Sequence, residues 1–169
     1  MWNFVGSGRP EFAIEPGPGQ ESVWDFPRPP VAEPCNRAIR VVAGGTVLAE
    51  ASTSYRLKET ASPPTFYLPP SAVKAGILIP TAGQSFCEWK GAASYHALEG
   101  DPSTAVAWSY PNPSKAFSML LDHVSFYPGR VECYVDGERV RPQAGGFYGG
   151  WITDDVVGPF KGDAGTGHW

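Results

Sequence analysis

Proline and glycine interrupt this chain so often that few segments are long enough for a helix of several turns. The 18 prolines and 20 glycines make up over a fifth of the 169 residues. Proline removes a backbone donor and fixes φ, and glycine accepts turn conformations that other residues avoid. Short apolar and aromatic runs lie between these breakers. The sequence therefore predicts an all-β, mostly antiparallel fold with one or two short connector helices.

The clearest local pattern is a pair of strands, Arg37–Ala43 and Thr46–Ala51, around Gly44 and Gly45. Two consecutive glycines supply the positive φ angles of a two-residue hairpin turn. Further strands are predicted at Tyr55–Glu59, Thr65–Leu68, Phe86–Trp89, Ser94–Leu98, Thr104–Tyr110, His123–Tyr127, Val131–Val135 and Arg139–Arg141. Short helices are predicted over Ser71–Leu78 and Ser114–Leu121, each of which follows a proline.

The breakers also divide the chain into three segments. Residues 1–34 form a Pro-rich arm for which we expect extended backbone. Residues 35–142 form a single β domain, since the chain is too short for two domains with separate cores. Residues 143–169 are rich in glycine but carry large aromatic residues, and we expect an ordered tail without regular structure. Its predicted anchors are Phe147, Tyr148, Trp151 and Phe160.

Charge and hydropathy exclude several classes of partner. Thirteen basic and 17 acidic side chains give a net charge of −4, so we expect no nucleic-acid binding. No apolar run approaches the roughly 20 residues that cross a bilayer, so we expect no membrane partner. The first twelve residues, MWNFVGSGRPEF, do not have the pattern of a secretory signal. Three scattered cysteines, Cys35, Cys87 and Cys133, favour a reducing cytoplasm over a disulfide framework.

Cofactor and metal motifs are missing from the sequence. The cysteines form no CxxC pair, and the three histidines have neither HExxH nor HxH spacing, so no metal site is predicted. Neither GxGxxG nor GxxxxGK[ST] occurs, so we predict no dinucleotide or P-loop cofactor. His96, His123 and His168 resemble surface or hydrogen-bonded histidines more than catalysts.

The segment FCEWKGAASY, residues 86–95, concentrates the reactive side chains of the chain. On a strand, Cys87 and Trp89 would share one face and Glu88 and Lys90 the other. The plainest interpretation buries the first pair in the core and exposes the second pair to water. A bulge near Gly91 would instead turn Lys90 into a pocket, where desolvation would lower its pKa and make it a base, a nucleophile or an anion anchor.

Other polar and aromatic residues would complete such a pocket. Glu59 lies at a predicted strand end, where it is either a solvent carboxylate or a second charged group of the pocket. Arg56 either pairs with Glu59, holds an anionic ligand or is simply exposed. Four aromatic residues are core residues unless their polar atoms converge with Lys90 and Glu59: Tyr67, Tyr95, Trp108 and Tyr110.

Six motifs resemble a largely bacterial family, the domain of unknown function 427. They are VWDFPRPP, YLPPSAV, FCEWKGAASY, AWSYPNP, FYPGRVECYVDGERV and GGFYGGWITDDVVGPFKG, and they span nearly the whole chain. The most specific is CxWKGxAxY, beginning at Cys87, although Glu88 stands where the family often has proline. The resemblance implies a β-tent, in which two small antiparallel sheets lean together around a pocket. Other β-tent families hold zinc on CxxC pairs, which this chain does not have. The family also carries a nucleotidyltransferase-like label, but the Gly-Ser and paired-aspartate pattern of that chemistry does not occur here.

These residues leave two main functions open. The first is a pocket that binds a small molecule. In the version in which the protein is an enzyme, Lys90 and Glu59 are the catalytic pair. Its ligand-binding residues would be Arg56, Tyr67, Cys87, Tyr95, Trp108 and Tyr110. The second is a non-catalytic interaction or homodimerisation module that uses the arm and the tail. A third hypothesis, redox chemistry at Cys87, requires an exposed thiolate and fails if alkylation of the native protein spares this residue.

Overall fold

Fifteen β-strands and three short 3₁₀ helices form the regular structure of the chain, which a computed structural model describes over residues 1–169. The strands are β1 (Glu21–Ser22), β2 (Val31–Cys35), β3 (Ile39–Ala43), β4 (Thr46–Ala51), β5 (Ser54–Lys58), β6 (Thr65–Tyr67), β7 (Leu78–Cys87), β8 (Gly91–Leu98), β9 (Asp101–Ser109), β10 (Val124–Phe126), β11 (Glu132–Val135), β12 (Glu138–Arg139), β13 (Arg141–Pro142), β14 (Trp151–Ile152) and β15 (Val156–Val157). The helices are Val23–Asp25, Pro70–Ala72 and Lys115–Leu120. The predicted all-β class is confirmed.

The strands form three antiparallel sheets and two short ribbons. The first sheet has the order β10-β9-β8-β7, the second β12-β11-β3-β4 and the third β2-β5-β6. In the ribbons, β13 pairs antiparallel with β14, and β1 pairs parallel with β15. The third sheet continues into the first because Leu68 and Val124 exchange two backbone hydrogen bonds of 2.8 Å.

The main core contains 15 buried residues from the first and second sheets and neighbouring segments. Strand β3 shows why these residues fold as they do, since Ile39 and Val41 are buried while Arg40 between them is exposed. From the tail, the fully buried Trp151 joins the core and donates from Nε1 to the Phe126 carbonyl at 2.9 Å. The hydrophobic effect thus fixes the tail to the domain.

Prolines occur in the edge strands of two sheets. Strand β7 contains Pro80 at a register shift, and β2 contains Pro34. An edge strand tolerates proline because one side of its backbone needs no ladder hydrogen bond. Strand β2 also spans residue 34, the predicted boundary between the arm and the domain.

The first predicted helix is wrong in extent, and the second has the predicted extent but a different helix type. The segment predicted as a helix over Ser71–Leu78 has one 3₁₀ turn, after which Gly76 adopts a φ of +74° and Leu78 begins β7. Over Ser114–Leu121 the helix is 3₁₀ and kinked at Phe117. No helix of the structure combines the length and the apolar character that crossing a bilayer requires.

Two further predictions need correction. The strand predicted at Phe86–Trp89 is the end of the longer β7, and residues 88–90 form a turn instead. The tail contains short strands, β14 and β15, where no regular structure was expected. Among its predicted anchors Trp151 is buried, but Phe147 remains 67% exposed.

The N-terminal arm is fixed to the domain by an aromatic cluster. Trp24 is fully buried, and the rings of Phe4, Phe12 and Trp169 lie 5.1 to 5.2 Å from its ring. Aromatic edges and faces attract each other at such distances. The cluster brings residues from both ends of the sequence together beside the third sheet.

Candidate functional site

One cavity of about 440 Å³ lies between β7–β9 of the first sheet, β5 and β6 of the third sheet, and the tail. Ten of its lining residues are aromatic: Trp2, Tyr67, Phe86, Trp89, Tyr95, Trp108, Tyr110, Tyr127, Phe147 and Tyr148. Its charged lining residues are Glu59, Glu88, Lys90 and Lys161. The cavity brings together seven of the eight predicted site residues: Glu59, Tyr67, Cys87, Lys90, Tyr95, Trp108 and Tyr110.

The turn between β7 and β8 directs Lys90 into this cavity. Gly91 has a φ of +105°, and a Cβ there would lie 3.2 Å from the Asn112 carbonyl oxygen. Ser114 holds the turn from the other side, because its Oγ donates to the Trp89 carbonyl at 2.7 Å and its backbone N–H to the Lys90 carbonyl at 2.9 Å. Glycine is therefore required after the lysine, and Lys90 is only 8% exposed.

Lys90 is a buried ammonium group without an ion pair. No carboxylate lies within 4.0 Å of its Nζ, which is 5.6 Å from the centroid of the Tyr110 ring. Burial alone would lower the pKa of Lys90. Tyr67, Cys87 and Glu59, which can carry negative charge, have the larger effect, so the net pKa is raised. The predicted lowering is wrong because it considered desolvation alone. Lys90 therefore keeps its proton at neutral pH.

Glu59 lies on the cavity wall but already has a cationic partner. Arg28, whose side chain is 2% exposed, donates from Nε to Glu59 Oε1 at 3.2 Å. The remaining guanidinium donors reach the carbonyl oxygens of Phe4, Thr60 and Trp169 at 2.9 to 3.0 Å. This network fixes the carboxylate and neutralises it.

Lys161 is a second buried lysine of the cavity, and sequence reasoning missed it. It is 4% exposed, and its backbone is fixed by a 2.8 Å bond from its N–H to the Ala61 carbonyl. Its Nζ lies 4.1 Å from the centroid of the Trp2 ring and 5.5 Å from that of Tyr148. No carboxylate lies within 4.0 Å of it. The available signal was its position as the single basic residue of the aromatic tail.

The electrostatic surroundings of Lys161 differ from those of Lys90. Burial and the Arg28 guanidinium lower the pKa of Lys161, while Glu59 and Glu88 oppose them. The net direction is down. The two lysines of the cavity therefore have pKa values shifted in opposite directions.

The aromatic wall is held by its own polar contacts. Trp108 donates from Nε1 to the Tyr67 hydroxyl at 3.1 Å, and the Tyr95 and Ser85 hydroxyls are 2.6 Å apart. Burial, followed by the charge of Tyr67, raises the pKa of Tyr110, so its phenol stays neutral. Two buried polar atoms of lining residues have no partner in the chain: Thr65 Oγ1 and Trp89 Nε1.

The tail closes one side of the cavity by close backbone approach. A Cβ on Gly149 would lie 2.3 Å from Cη2 of Trp108 and 3.2 Å from Cδ1 of Tyr127. Only glycine fits between these rings without displacing them. The glycine-rich composition of the tail thus has a local cause at the aromatic wall.

Of the remaining sequence-predicted residues, one lies outside the cavity and one lies beside Lys90. Arg56 lies outside the cavity and contacts Glu21 at 2.6 Å and Glu33 at 3.7 Å, so neither Glu59 nor a ligand in the cavity is its partner. Cys87 lines the cavity and is half-buried, with a free thiol.

The histidines lie away from the cavity, and no metal-binding cluster forms. His96 Nε2 is 2.8 Å from Ser109 Oγ, and burial lowers the pKa of this histidine. The structure contains no group of three or more His, Cys, Asp and Glu residues that could hold a metal ion.

Comparison with known proteins places the chain in a family without assigning an activity to it. No curated protein matches the sequence. The family model described as "Domain of unknown function (DUF427)" matches residues 31–137. That range includes Glu59, Lys90 and most of the aromatic wall, whereas Trp2, Arg28 and Lys161 lie outside it. Because the match covers well over half of the chain, the protein belongs to the DUF427 family.

Proposed function

We propose that the protein binds a small anion with a flat, apolar body in the cavity beside Lys90. One observation carries the proposal: Lys90 and Lys161 are both buried in a single aromatic cavity, and neither has a carboxylate within 4.0 Å. An unpaired buried ammonium costs several kcal/mol in lost hydration, so a protein seldom keeps two of them without a use.

The carboxylates of the cavity form no ion pair with either lysine. Glu59 is bound to Arg28. Glu88 is exposed and accepts a hydrogen bond from Trp2 Nε1 at 3.0 Å. A ligand carboxylate or phosphate would supply the missing charge, and a site of low dielectric would strengthen the attraction.

The rest of the lining fits the body of such a ligand. A volume of about 440 Å³ is in the range of small-molecule sites. The rings of Tyr67, Trp108 and Tyr127 offer faces and edges for a planar group.

Within this proposal, Lys90 anchors an anion because its raised pKa keeps it charged. Glu59, held by Arg28, would orient a donor group of the ligand or move a proton. Whether the bound molecule reacts is a separate question, for which Lys161 is the better candidate nucleophile. We also propose a β-tent arrangement of the sheets and a bacterial origin. The three free thiols support a cytoplasmic location.

A thermal-shift screen tests the proposal. The probes are planar aromatic carboxylates and phosphate esters, each paired with its neutral amide or alcohol. We expect an anionic probe to raise the melting temperature, its neutral partner to do so much less, and Lys90→Met to abolish most of the shift. Lys115→Met, at an exposed lysine outside the cavity, is the matched control and should keep the full shift. Equal shifts from charged and neutral probes would refute an anion site.

A homodimerisation or interaction module is the second candidate. It is favoured by Phe86 and Phe147, which are 78% and 67% exposed and both line the cavity mouth. Large exposed aromatic residues often mark an interface. Sedimentation of the wild type and of a Phe86→Ser, Phe147→Ser variant separates the two candidates. A dimer that the double substitution dissociates, together with an empty ligand screen, would favour the interaction module.

A further inference from the structure

We infer that Lys161 is the reacting amine of this site and forms an imine with an aldehyde or ketone whose carboxylate or phosphate group is held by Lys90. The inference rests on the proposed function, because it requires the same cavity to bind an anion. It adds a reaction, a nucleophile and a substrate class.

The position of Lys161 suits a nucleophile. Its side chain is largely buried and lines the cavity, so a molecule bound there can approach Nζ. The rings of Trp2 and Tyr148 flank it, and its backbone is fixed by bonds to Ala61 and from Gln143 Nε2. Fixed backbone and restricted side-chain motion keep the amine in place for attack.

The charges around Lys161 favour a reactive amine. An alkylamine attacks a carbonyl only when it is unprotonated, and nearby cations together with burial promote that form. Arg28 acts on Lys161 in this direction, and Glu59 and Glu88 act in the other. The net lowering of the Lys161 pKa agrees with the geometry.

Trp2 modulates this state. Its ring centroid is 4.1 Å from Nζ of Lys161 and 4.2 Å from Cζ of Arg28. A cation over an indole face is stabilised by about 0.5–2 kcal/mol, which favours the protonated amine. Removal of the indole should therefore increase the reactivity of Lys161.

The division of labour between the lysines follows from their neighbours. Lys161 shares the Trp2 ring with the Arg28 guanidinium, whereas Lys90 is the one cation over the Tyr110 ring, and the pKa directions agree with this difference. Lys90 remains an ammonium group and can hold a carboxylate or phosphate, while Lys161 offers its lone pair. The Nζ lone pair would form a bond to the carbonyl carbon as the carbonyl π pair moves to oxygen. Proton transfer from nitrogen to oxygen gives the carbinolamine. The nitrogen lone pair then forms the C=N bond, and the former carbonyl oxygen leaves with both amine hydrogens as water.

Reductive trapping tests the inference on the full-length protein. The probe is 4-formylbenzoate, with benzaldehyde as its uncharged partner, and borohydride converts any imine to a stable amine that peptide mass spectrometry locates. We expect 4-formylbenzoate to label Lys161 at least about tenfold faster than the exposed Lys74 and Lys115, because only Lys161 shares a binding cavity with the anion anchor Lys90. Without activation, a buried lysine would react more slowly than these two. Labelling of Lys161 no faster than the exposed lysines would overturn the inference.

Two variants test the roles of the neighbours. Lys90→Met should slow labelling of Lys161 by 4-formylbenzoate about tenfold and leave labelling by benzaldehyde nearly unchanged, because only the first probe has the anion that Lys90 binds. Trp2→Ala should increase labelling by both probes. Equal slowing of both probes in Lys90→Met would contradict the assigned anchor.

A non-reacting probe separates failure of this inference from failure of the proposed function. The alcohol 4-(hydroxymethyl)benzoate has the carboxylate but no carbonyl group. If it raises the melting temperature in a Lys90-dependent manner while 4-formylbenzoate leaves Lys161 unlabelled, the anion site stands and the imine chemistry falls. If neither compound acts on the protein, both fall for this substrate class.

Discussion

Arg28 and the two lysines of the cavity are buried cations in neighbouring parts of the molecule, but their surroundings are opposite. Arg28 has a carboxylate partner in Glu59 and three carbonyl acceptors. No carboxylate lies within 4.0 Å of the ammonium group of Lys90 or of Lys161. The Cys87 thiol contacts Lys90, and aromatic rings flank both ammonium groups.

This difference distinguishes a cation that stabilises the fold from cations that are available to a ligand. A buried cation whose donors are all used holds segments together, and here Arg28 joins the arm, the third sheet and the C-terminal residues. A buried cation that forms no ion pair keeps donors available, and these gain most when an anion arrives. Ligand sites concentrate groups of this second kind.

The largest effect should follow substitution of the satisfied cation. We expect Arg28→Met to lower the free energy of unfolding by about 3 kcal/mol, because Glu59 and three carbonyl groups lose their partner. Urea denaturation measures the change. Arg40→Met, at an arginine whose side chain is 57% exposed, should change stability by less than about 0.5 kcal/mol. A similar small effect at Arg28 would contradict its structural role.

An intermediate effect should follow narrowing of the cavity wall. Gly149→Ala places a methyl group 2.3 Å from the Trp108 ring. We expect this overpacking to lower the free energy of unfolding by about 1–3 kcal/mol and to weaken the binding of any ligand. Gly146→Ala is the control, because nothing lies within 4 Å of a Cβ there. Thermal unfolding of the two variants measures the difference. Equal melting temperatures would show that the tail does not pack on the wall as described.

The smallest effect concerns His96, which is half-buried. Burial lowers the pKa of His96 below its usual 6.5, so the unfolded chain binds its proton more tightly than the folded chain does. Its contribution to stability is therefore complete above pH 6.5 and is lost as pH falls below that value. His96→Gln should reduce the loss of stability between pH 7.5 and 5.5, measured by urea midpoints. His168→Gln, at an exposed position, should leave that loss unchanged.

Local features of the fold were predictable because they depend on local chemistry. Gly44 and Gly45, with φ angles of +54° and +79°, form the predicted hairpin turn between β3 and β4. Helix extent was less predictable, because tertiary pairing overrode local preference. Val73 forms a β-bridge with Ala49, and the backbone N–H of Lys74 donates to the Leu48 carbonyl at 2.8 Å. These pairings with β4 end the helix that was predicted there.

The site was predictable only where its residues come from strands and the turn between them. Alternation and the Lys90–Gly91 turn indicated a pocket with Glu59, and the structure brings those residues to one cavity. Lys161, Trp2 and Arg28 come from segments distant in sequence, and no periodicity relates them to Lys90. The raised pKa of Lys90 could not be predicted from the sequence either, because it depends on which groups surround the amine in the fold.

The melting-temperature shift that a planar anionic probe produces in the wild type and in Lys90→Met tests the central claim most directly. Methionine keeps much of the apolar stem and removes the positive charge. If Lys90 binds the anion of the ligand, the probe will raise the melting temperature of the wild type and the variant will lose most of that shift. A full shift in Lys90→Met would show that Lys90 does not bind the anion, and would contradict the account.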